Sequence, residues 1–305
     1  LNNNKTIDPL VSVVVITYNS TNYILETLES IKNQTYSNIE LIISDDCSSD
    51  NTINICEKWL IDNGKSFKDF KIIRAIKNTG VAANCNRGVS AANGDWVKLI
   101  AGDDLLLPNC IGDNIKFTKN HPNINVFISN MIVFLDGTFP RKILEIRKPS
   151  NKHIWNQLVS INKQYEVNLL EYHGNTPSYF INSKVYEIIK YDDSFPFLED
   201  YPFSLNALKS GFKIEYLDVD TVLYRERAGS LSKANNNVIY SSFFLKEREF
   251  DEVYRVPFLS NKRRKMEAFE FNRKKYILKF NLNHNNFFCK LINSISIRLN
   301  PYRYF

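Results

Sequence analysis

The apolar positions of this chain fall into short, nearly continuous runs, separated by stretches with helical spacing. The first run, VSVVVITYNS (11–20), is β-branched and ends in polar residues. A run without alternation predicts a parallel strand buried on both faces. NYILETLESIKNQ follows, with Ile24, Leu25, Leu28 and Ile31 at helical spacing. The signals then repeat. IELIISDDCSSD (39–50) predicts a second buried strand ending in acids, and NTINICEKWLIDNG a helix closed by Gly64. FKIIRAI (70–76) predicts a third strand, VAANCNRGVSAAN a helix, and DWVKLIA (95–101) a fourth strand. A helix is expected after Pro108, then a strand over NVFISNMIVFLD (125–136).

Strand–helix alternation of this kind predicts an α/β fold with a parallel sheet. Ligands of such sheets bind at the carboxyl ends of the strands. Here those endings read TYN, DD, KNTG and AGDD, so the pattern predicts one polar site along that edge. The second half is less regular. SYFINSKVYEIIKY reads as strand then helix, and SFPFLEDYPFSLNALKSG places Glu199 and Asp200 near the start of a helix ending near Gly211. KIEYLDVDTVLYRERAGSLS reads as a strand pair running into a basic loop, and residues from 240 on as helical and rich in aromatics.

Three acidic pairs and one basic cluster are candidates for chemistry. In KLIAGDDLLLP (98–108), Asp103 and Asp104 follow an apolar run directly. Such a pair can hold Mg2+ or Mn2+ through oxygen, with water or phosphate completing the shell. Its alternative use is to cap the next helix. Asp46 can accept a hydrogen bond from a base imide, with Ser49 or Asp50 as the helix cap. Tyr18 can stack on a base or simply pack, and Asn19 suits a turn. Glu199–Asp200 either complements a helix dipole or supplies a general base. That base would deprotonate an acceptor hydroxyl as its oxygen attacks a sugar carbon. YRERAGSLS offers Arg225 and Arg227 with Ser230 and Ser232, either a phosphate grip or an ordinary surface loop.

Composition narrows the class. With 305 residues, 44% hydrophobic and 24% charged, the chain suits one large globular domain or a core plus an extension. No apolar run approaches the ~18–20 residues of a membrane span. The opening LNNNKTIDP has no signal-peptide pattern and reads as a disordered terminus over residues 1–9. Five cysteines without a C-x-x-C argue against a disulfide framework or zinc site and suit a reducing cytoplasm. The positive charge is uneven. From residue 241 on there are fourteen Lys/Arg against six Asp/Glu, whereas the rest has twenty-five against twenty-seven. RKKYILKF and CKLINSISIRLNPYRYF mix those cations with aromatic and aliphatic residues, which suits a helix lying on an anionic membrane surface. Closing the catalytic domain or forming a homo-dimer is the other use of such a tail. No nucleic-acid recognition module is visible.

In order and spacing, these segments resemble the family 2 inverting glycosyltransferases of the GT-A fold, of the bacterial surface-polysaccharide type, over about residues 10–233. The resemblance implies a Rossmann-like, mostly parallel sheet flanked by helices. It implies a catalytic domain over 10–235, with a nucleotide-binding half (10–110) and an acceptor-binding half (111–235), and a basic helical extension over 236–305. By resemblance, Thr17, Tyr18, Asn19 and Asp46 surround a uridine, and Asn78, Gly80 and Asn86 line the nucleotide pocket. AGDD stands in place of the metal-binding DxD motif, with Asp103, five residues before Pro108, as the ligand and Asp104 beside it. Asp200 of LEDYP takes the place of the catalytic base, and Glu199 that of an acceptor or donor contact.

Three positions depart from the family pattern. Ala101 replaces the first acid of the motif, Cys85 stands where arginine is usual, and Arg227 occupies a histidine position, where it can bind diphosphate directly. The implied reaction moves a hexose or N-acetylhexosamine from a UDP-sugar to an acceptor hydroxyl with a β-linkage, using Mn2+ or Mg2+. The implied acceptor is a glycan on undecaprenyl diphosphate at the inner face of the cytoplasmic membrane, in O-antigen or capsule synthesis. A reading of another class, motivated by Ala101 and Cys85, is a non-catalytic UDP-binding or scaffolding subunit. Sugar nucleotidyltransferases share the architecture, but they need an early glycine-rich loop that VVVITYNSTNY lacks.

Overall fold

A computed structural model describes residues 8–170, 175–195, 198–227, 238–240 and 244–303. The chain forms two compact units, Leu1–Glu226 and Arg227–Phe305. Their boundary falls at the end of a strand, ahead of the expected break after residue 235.

The first unit opens with the predicted alternation. Strands β1 (Val11–Thr17), β2 (Ile39–Asp45), β3 (Asp69–Arg74) and β4 (Trp96–Ala101) are parallel, joined through helices α1 (Ile24–Lys32), α2 (Thr52–Asn63) and α3 (Val81–Ser90). Then follow β5 (Leu105–Leu106), α4 (Cys110–Asn120), β6 (Val126–Leu135), β7 (Lys142–Arg147), α5 (Ile161–Leu170), β8 (Tyr179–Asn182), α6 (Ser183–Ile188), α7 (Asp200–Lys209) and β9 (Ile214–Glu226). The sheet runs β3-β2-β1-β4-β8-β6-β9-β5, with β7 beside β6. β8 is antiparallel to both its neighbours, and β9 is parallel to β6.

Side-chain alternation sends each parallel strand into two cores. Val11, Val13 and Val15 of β1 pack with α1, α2 and α4 on one face. Val14 and Ile16 pack with α3, α6 and α7 on the other. Each fully buried aliphatic side chain contributes roughly 1.5–3 kcal/mol, so these layers fix the sheet whose edge carries the polar endings. The expected strand pair at 213–226 is instead the single thirteen-residue strand β9. Its polar LDVD stretch mimics a turn. Asn130 Nδ2 donates to both Asp218 (3.1 Å) and Asp220 (3.0 Å), and the register with β6 shifts there, so the strand bulges past the acids and continues.

In the second unit, α8 (Phe244–Tyr254), α9 (Asn261–Lys279) and α10 (Phe287–Arg298) bear out the helical expectation. Ser260 and Asn286 cap the last two, accepting from the backbone N–H of Arg263 and Cys289. Among the described residues no helix is long and apolar enough to cross a membrane.

Helix α3 lies close on the sheet because Gly88 has no side chain: a Cβ there would sit 2.5 Å from Val14 Cγ1 and 3.1 Å from Ser44 Cβ. Gly88→Ala should therefore lower stability by about 1–3 kcal/mol through overpacking, against the ~1 kcal/mol that alanine gains in a free helix. Urea denaturation measures this, and a raised midpoint would mean that α3 lifts off without cost.

Candidate active site

The parallel register pairs Thr17 with Asp45 and Ile16 with Ala101. Beyond the last pairs, Asp46 N–H donates to the Thr17 carbonyl and Gly102 N–H to the Ile16 carbonyl, both at 2.9 Å. TYN, DD and AGDD thus meet on one edge, as the strand endings predict. KNTG joins them through Asp46, whose buried carboxylate accepts from Thr79 N–H (2.9 Å), Thr79 Oγ1 (2.6 Å) and Gly80 N–H (2.8 Å). Gly80 has φ 90°, a left-handed conformation that glycine adopts without strain. Arg87 Nη2 completes the set at 3.0 Å from Asp46 Oδ1 and also donates to Thr79 Oγ1 at 2.7 Å. The expected imide contact therefore falls on a carboxylate already engaged by four protein donors. Sequence reasoning missed Arg87, and its only signal there is a lone cation in a helix of small residues.

Other expected nucleotide residues take varied places. Thr17 Oγ1 is buried with no partner among the described residues. Gly102 crowds it, since a Cβ there would come within 2.9 Å. Tyr18 is 50% exposed, enough to offer a stacking face. Asn19, at φ 51°, ties the first two loops together: its Oδ1 accepts from Ser49 N–H and its N–H donates to Ser48 Oγ, each at 2.8 Å. Asp50 accepts from Thr52 N–H at 3.0 Å, but the N-cap residue of α2 is Asn51 rather than the expected Ser49 or Asp50. Asn78 is exposed. Asn86 points elsewhere: its amide exchanges two hydrogen bonds with the Tyr191 backbone, at 2.8 and 2.9 Å.

The AGDD acids divide. Asp104 is buried, and its Oδ1 accepts from Arg225 N–H at 2.8 Å while its carbonyl accepts from Thr27 Oγ1 at 2.8 Å. Asp103 is half-buried, and its carbonyl accepts from Arg225 Nε at 2.8 Å. The rest of the Arg225 guanidinium pairs with Asp136 (2.8 Å) and Glu26 (3.0 Å) and lies 4.7 Å from the Tyr23 ring centre and 4.9 Å from that of Phe134. Burial alone would raise the Asp136 carboxyl, but hydrogen bonds from Arg225 and Tyr23 outweigh it and hold the group below the usual carboxylate range. Arg225, expected in a basic phosphate-gripping loop, is therefore a buried residue of β9 with its donors committed to protein. Arg227 follows directly on β9, while Ser230 and Ser232 lie outside the described residues.

Among the described residues no group of three or more His, Cys, Asp or Glu gathers as a metal cage. A hard divalent ion held by one or two carboxylates plus phosphate oxygens and water needs no cage. Asp103, its backbone fixed and Asp104 behind it, fits that donor set.

Asp200 opens α7, accepting from Tyr201 N–H at 2.8 Å. Glu199 accepts from Thr176 Oγ1 at 2.8 Å, and burial pushes its carboxyl upward. Both acids adjoin α3. Burial first, then the charges of Glu199 and Asp200, raise the Cys85 thiol well above its ordinary value.

Replacing Arg225 with Met strands Asp136 and Glu26. The expected loss is about 2–4 kcal/mol in urea denaturation, below the full cost of a buried unpaired charge because both acids are partly solvated. Lysine, lacking the planar fork, should recover less than half. A loss below about 0.5 kcal/mol would show a surface-like pair. For Glu199, a raised carboxyl means that the folded state favours the protonated form. Its stabilising contribution is present at acid pH and lost as pH rises through and above the ordinary glutamate range. Glu199→Gln keeps an acceptor for Thr176, so its Tm relative to wild type should climb with pH. A pH-independent difference would refute this.

The sequence profile described as "Glycosyl transferase family 2" matches residues 12–187. The chain is 30% identical over 228 residues to the Escherichia coli UDP-Glc:alpha-D-GlcNAc-diphosphoundecaprenol beta-1,3-glucosyltransferase WfaP, covering 73% of this chain and 80% of WfaP. It is 28% identical to the uncharacterized glycosyltransferase MJ1057 of Methanocaldococcus jannaschii, over 78% of this chain and 79% of that one. Among solved structures, Staphylococcus aureus TarS 1-349 in complex with UDP superposes with TM-score 0.56 at 21% identity, over 71% of this chain and 60% of TarS 1-349. The mannosyltransferase PcManGT from Pyrobaculum calidifontis, with GDP-Man and Mn2+, gives 0.54 at 15%, over 74% of this chain and 59% of its own. At such identities the likeness is one of fold, and it is the GT-A architecture. With a profile match over more than half of its length, covering the segments that build this edge, the chain belongs to glycosyl transferase family 2.

Proposed function

We propose that the chain is an inverting glycosyltransferase that moves a hexose or N-acetylhexosamine from a UDP-sugar to an acceptor hydroxyl, leaving a β-linkage. The observation that carries this reading is the division of the AGDD acids: Asp104 and Arg225 lock the backbone of Asp103 at the carboxyl edge of the sheet. The names of similar proteins support the donor and acceptor classes. WfaP is named for UDP-Glc and a diphosphoundecaprenol-linked sugar, and TarS has been crystallised with UDP-GlcNAc.

Uridine would lie along Thr17, Tyr18 and Asn19. Half-exposed Tyr18 offers it a stacking face, with Thr17 buried beneath it. Asp46 acts by holding Thr79 and Gly80 in place, Asn78 borders the same loop, and Asn86 fixes the Tyr191 segment. Asp103, backed by Asp104, would hold Mn2+ or Mg2+, which supplies positive charge to the diphosphate. Arg227 would add a direct cation for the leaving UDP. Asp200 takes the proton of the acceptor hydroxyl as that oxygen bonds to the anomeric carbon and the bond to the diphosphate breaks on the opposite face. Glu199, which burial inclines to the neutral form, can donate a hydrogen bond to a sugar oxygen. The acceptor would be a glycan on undecaprenyl diphosphate in the making of a bacterial surface polysaccharide. Ala101 and the fully engaged Asp46 favour one rival reading, a UDP-binding scaffold without turnover.

The test is UDP release from a panel of UDP-sugars with Mn2+, with and without EDTA. One donor should turn over, and EDTA should abolish the turnover. With acceptor present, Asp200→Asn should fall about 10²–10⁴-fold. Asp103→Ala should lose activity with or without acceptor, both variants keeping the wild-type Tm. Tight UDP binding without turnover of any donor, lipid-linked acceptors included, would establish the scaffold instead.

A further inference from the structure

Helix α10 turns polar groups toward α9 beside its one buried residue, Cys289. Arg273 of α9 donates to Asn293 Oδ1 (2.6 Å) and Ser296 Oγ (3.2 Å), Tyr240 Oη donates to Asn293 Oδ1 (2.6 Å), and Asn300 Nδ2 donates to Glu270 Oε1 (3.0 Å). Arg273 and Asn300 are buried. The apolar side faces out: Phe288, Leu291, Ile295 and Leu299 recur at helical spacing and are 64%, 47%, 50% and 67% exposed. A surface helix of a protein in water has the reverse arrangement. Tyr276 and Phe280 of α9 are also exposed, and with Phe269, Ile277, Ile292 and Leu299 they line an apolar groove of about 340 Å³.

Charge selects the occupant. Residues 271–305 hold seven Lys/Arg and no Asp or Glu, and Lys275, Lys279, Lys290 and Arg298 are exposed. A symmetric second copy would bring the same cations face to face. An anionic surface complements them, and the long stems of Lys and Arg let the charges reach phosphates while the apolar side chains sit deeper.

We propose that the α9–α10 face docks on an anionic lipid bilayer, with Phe288, Leu291, Ile295 and Leu299 at the headgroup boundary and the four exposed cations on lipid phosphates. The reading is independent of the donor chemistry, because its test needs no sugar. The full chain is floated with vesicles of phosphatidylcholine alone or mixed with phosphatidylglycerol, at low and high salt. Partition into the mixed vesicles is expected, weakened by salt and slight with phosphatidylcholine alone. Leu291→Gln with Ile295→Gln should cut it on the order of tenfold with an unchanged circular dichroism spectrum, since both side chains are exposed. Equal partition into both vesicle types, or none into the mixed ones, would overturn the proposal. So would a dimer, seen by light scattering, that the double variant dissolves while vesicle binding persists.

Discussion

One guanidinium sets the geometry of the polar edge of the sheet. Arg225 reaches α1 through Glu26, the exit of β6 through Asp136 and the exit of β4 through the Asp103 carbonyl. Its side chain is only 5% exposed, whereas those of Glu26 and Asp136 are 45% and 25% exposed. Desolvating a cation costs several kcal/mol. Here two carboxylates that keep part of their hydration offset that cost, and two aromatic rings take the remaining faces. What results is placement more than stability. The peptide of Asp103 cannot turn, so its carboxylate projects from a fixed backbone. The next residue, Asp104, spends an oxygen on the Arg225 amide. Adjacent identical residues thus engage Arg225 differently, Asp104 through its side chain and Asp103 through its carbonyl.

Helix α3 carries a second set of constraints, distributed by its periodicity. Asn84 and Arg87, one turn apart, face the sheet edge, where Asn84 meets Ser44 and Arg87 meets Asp46. Asn86, on another flank, holds the Tyr191 backbone, and Cys85 sits in the core that also receives Tyr191 and Phe203, against the acids opening α7. The helix therefore spans from the loop expected to frame a nucleotide to the residues expected to receive an acceptor. Gly88 lets it sit low enough on β1 and β2 to do both.

These relations explain what could be read in the sequence. Strands β1 to β4 announce themselves because a strand buried on both faces is a continuous apolar run, and its polar ending marks where solvent returns. That logic located the edge and all four of its loops. It failed where polar groups are satisfied by distant partners. The acids in β9 looked like a turn because Asn130, 88 and 90 positions away, was invisible as their donor. Arg225 looked like a loop cation because Glu26 lies 199 positions earlier. The resemblance implies that Asp46 and Asn86 line a nucleotide pocket. Their hydrogen bonds to Thr79 and to Tyr191 could not be inferred from it, because they depend on how α3 rests on the sheet.

The same distinction applies to α10, where periodicity reveals two faces but not which one turns inward. Ordinary burial would seat Phe288, Leu291, Ile295 and Leu299 on α9 and leave the asparagines in water. The structure turns Asn293, Ser296 and Asn300 toward Arg273 and Glu270 on α9, which also pair with each other, and Arg273 reaches Tyr240 as well. An apolar side chain placed there would remove acceptors from a buried guanidinium that keeps Glu270 and Tyr240 as partners. Once the polar faces are locked together, the apolar stripe has nowhere to go but outward. Local rules are broken at two places among the described residues: the buried guanidinium behind Asp103, and a helix whose apolar stripe faces out. The first fixes the backbone of Asp103, and the second leaves an apolar, cation-rimmed face exposed. Sequences tend to abandon internal consistency where binding supplies the missing compensation.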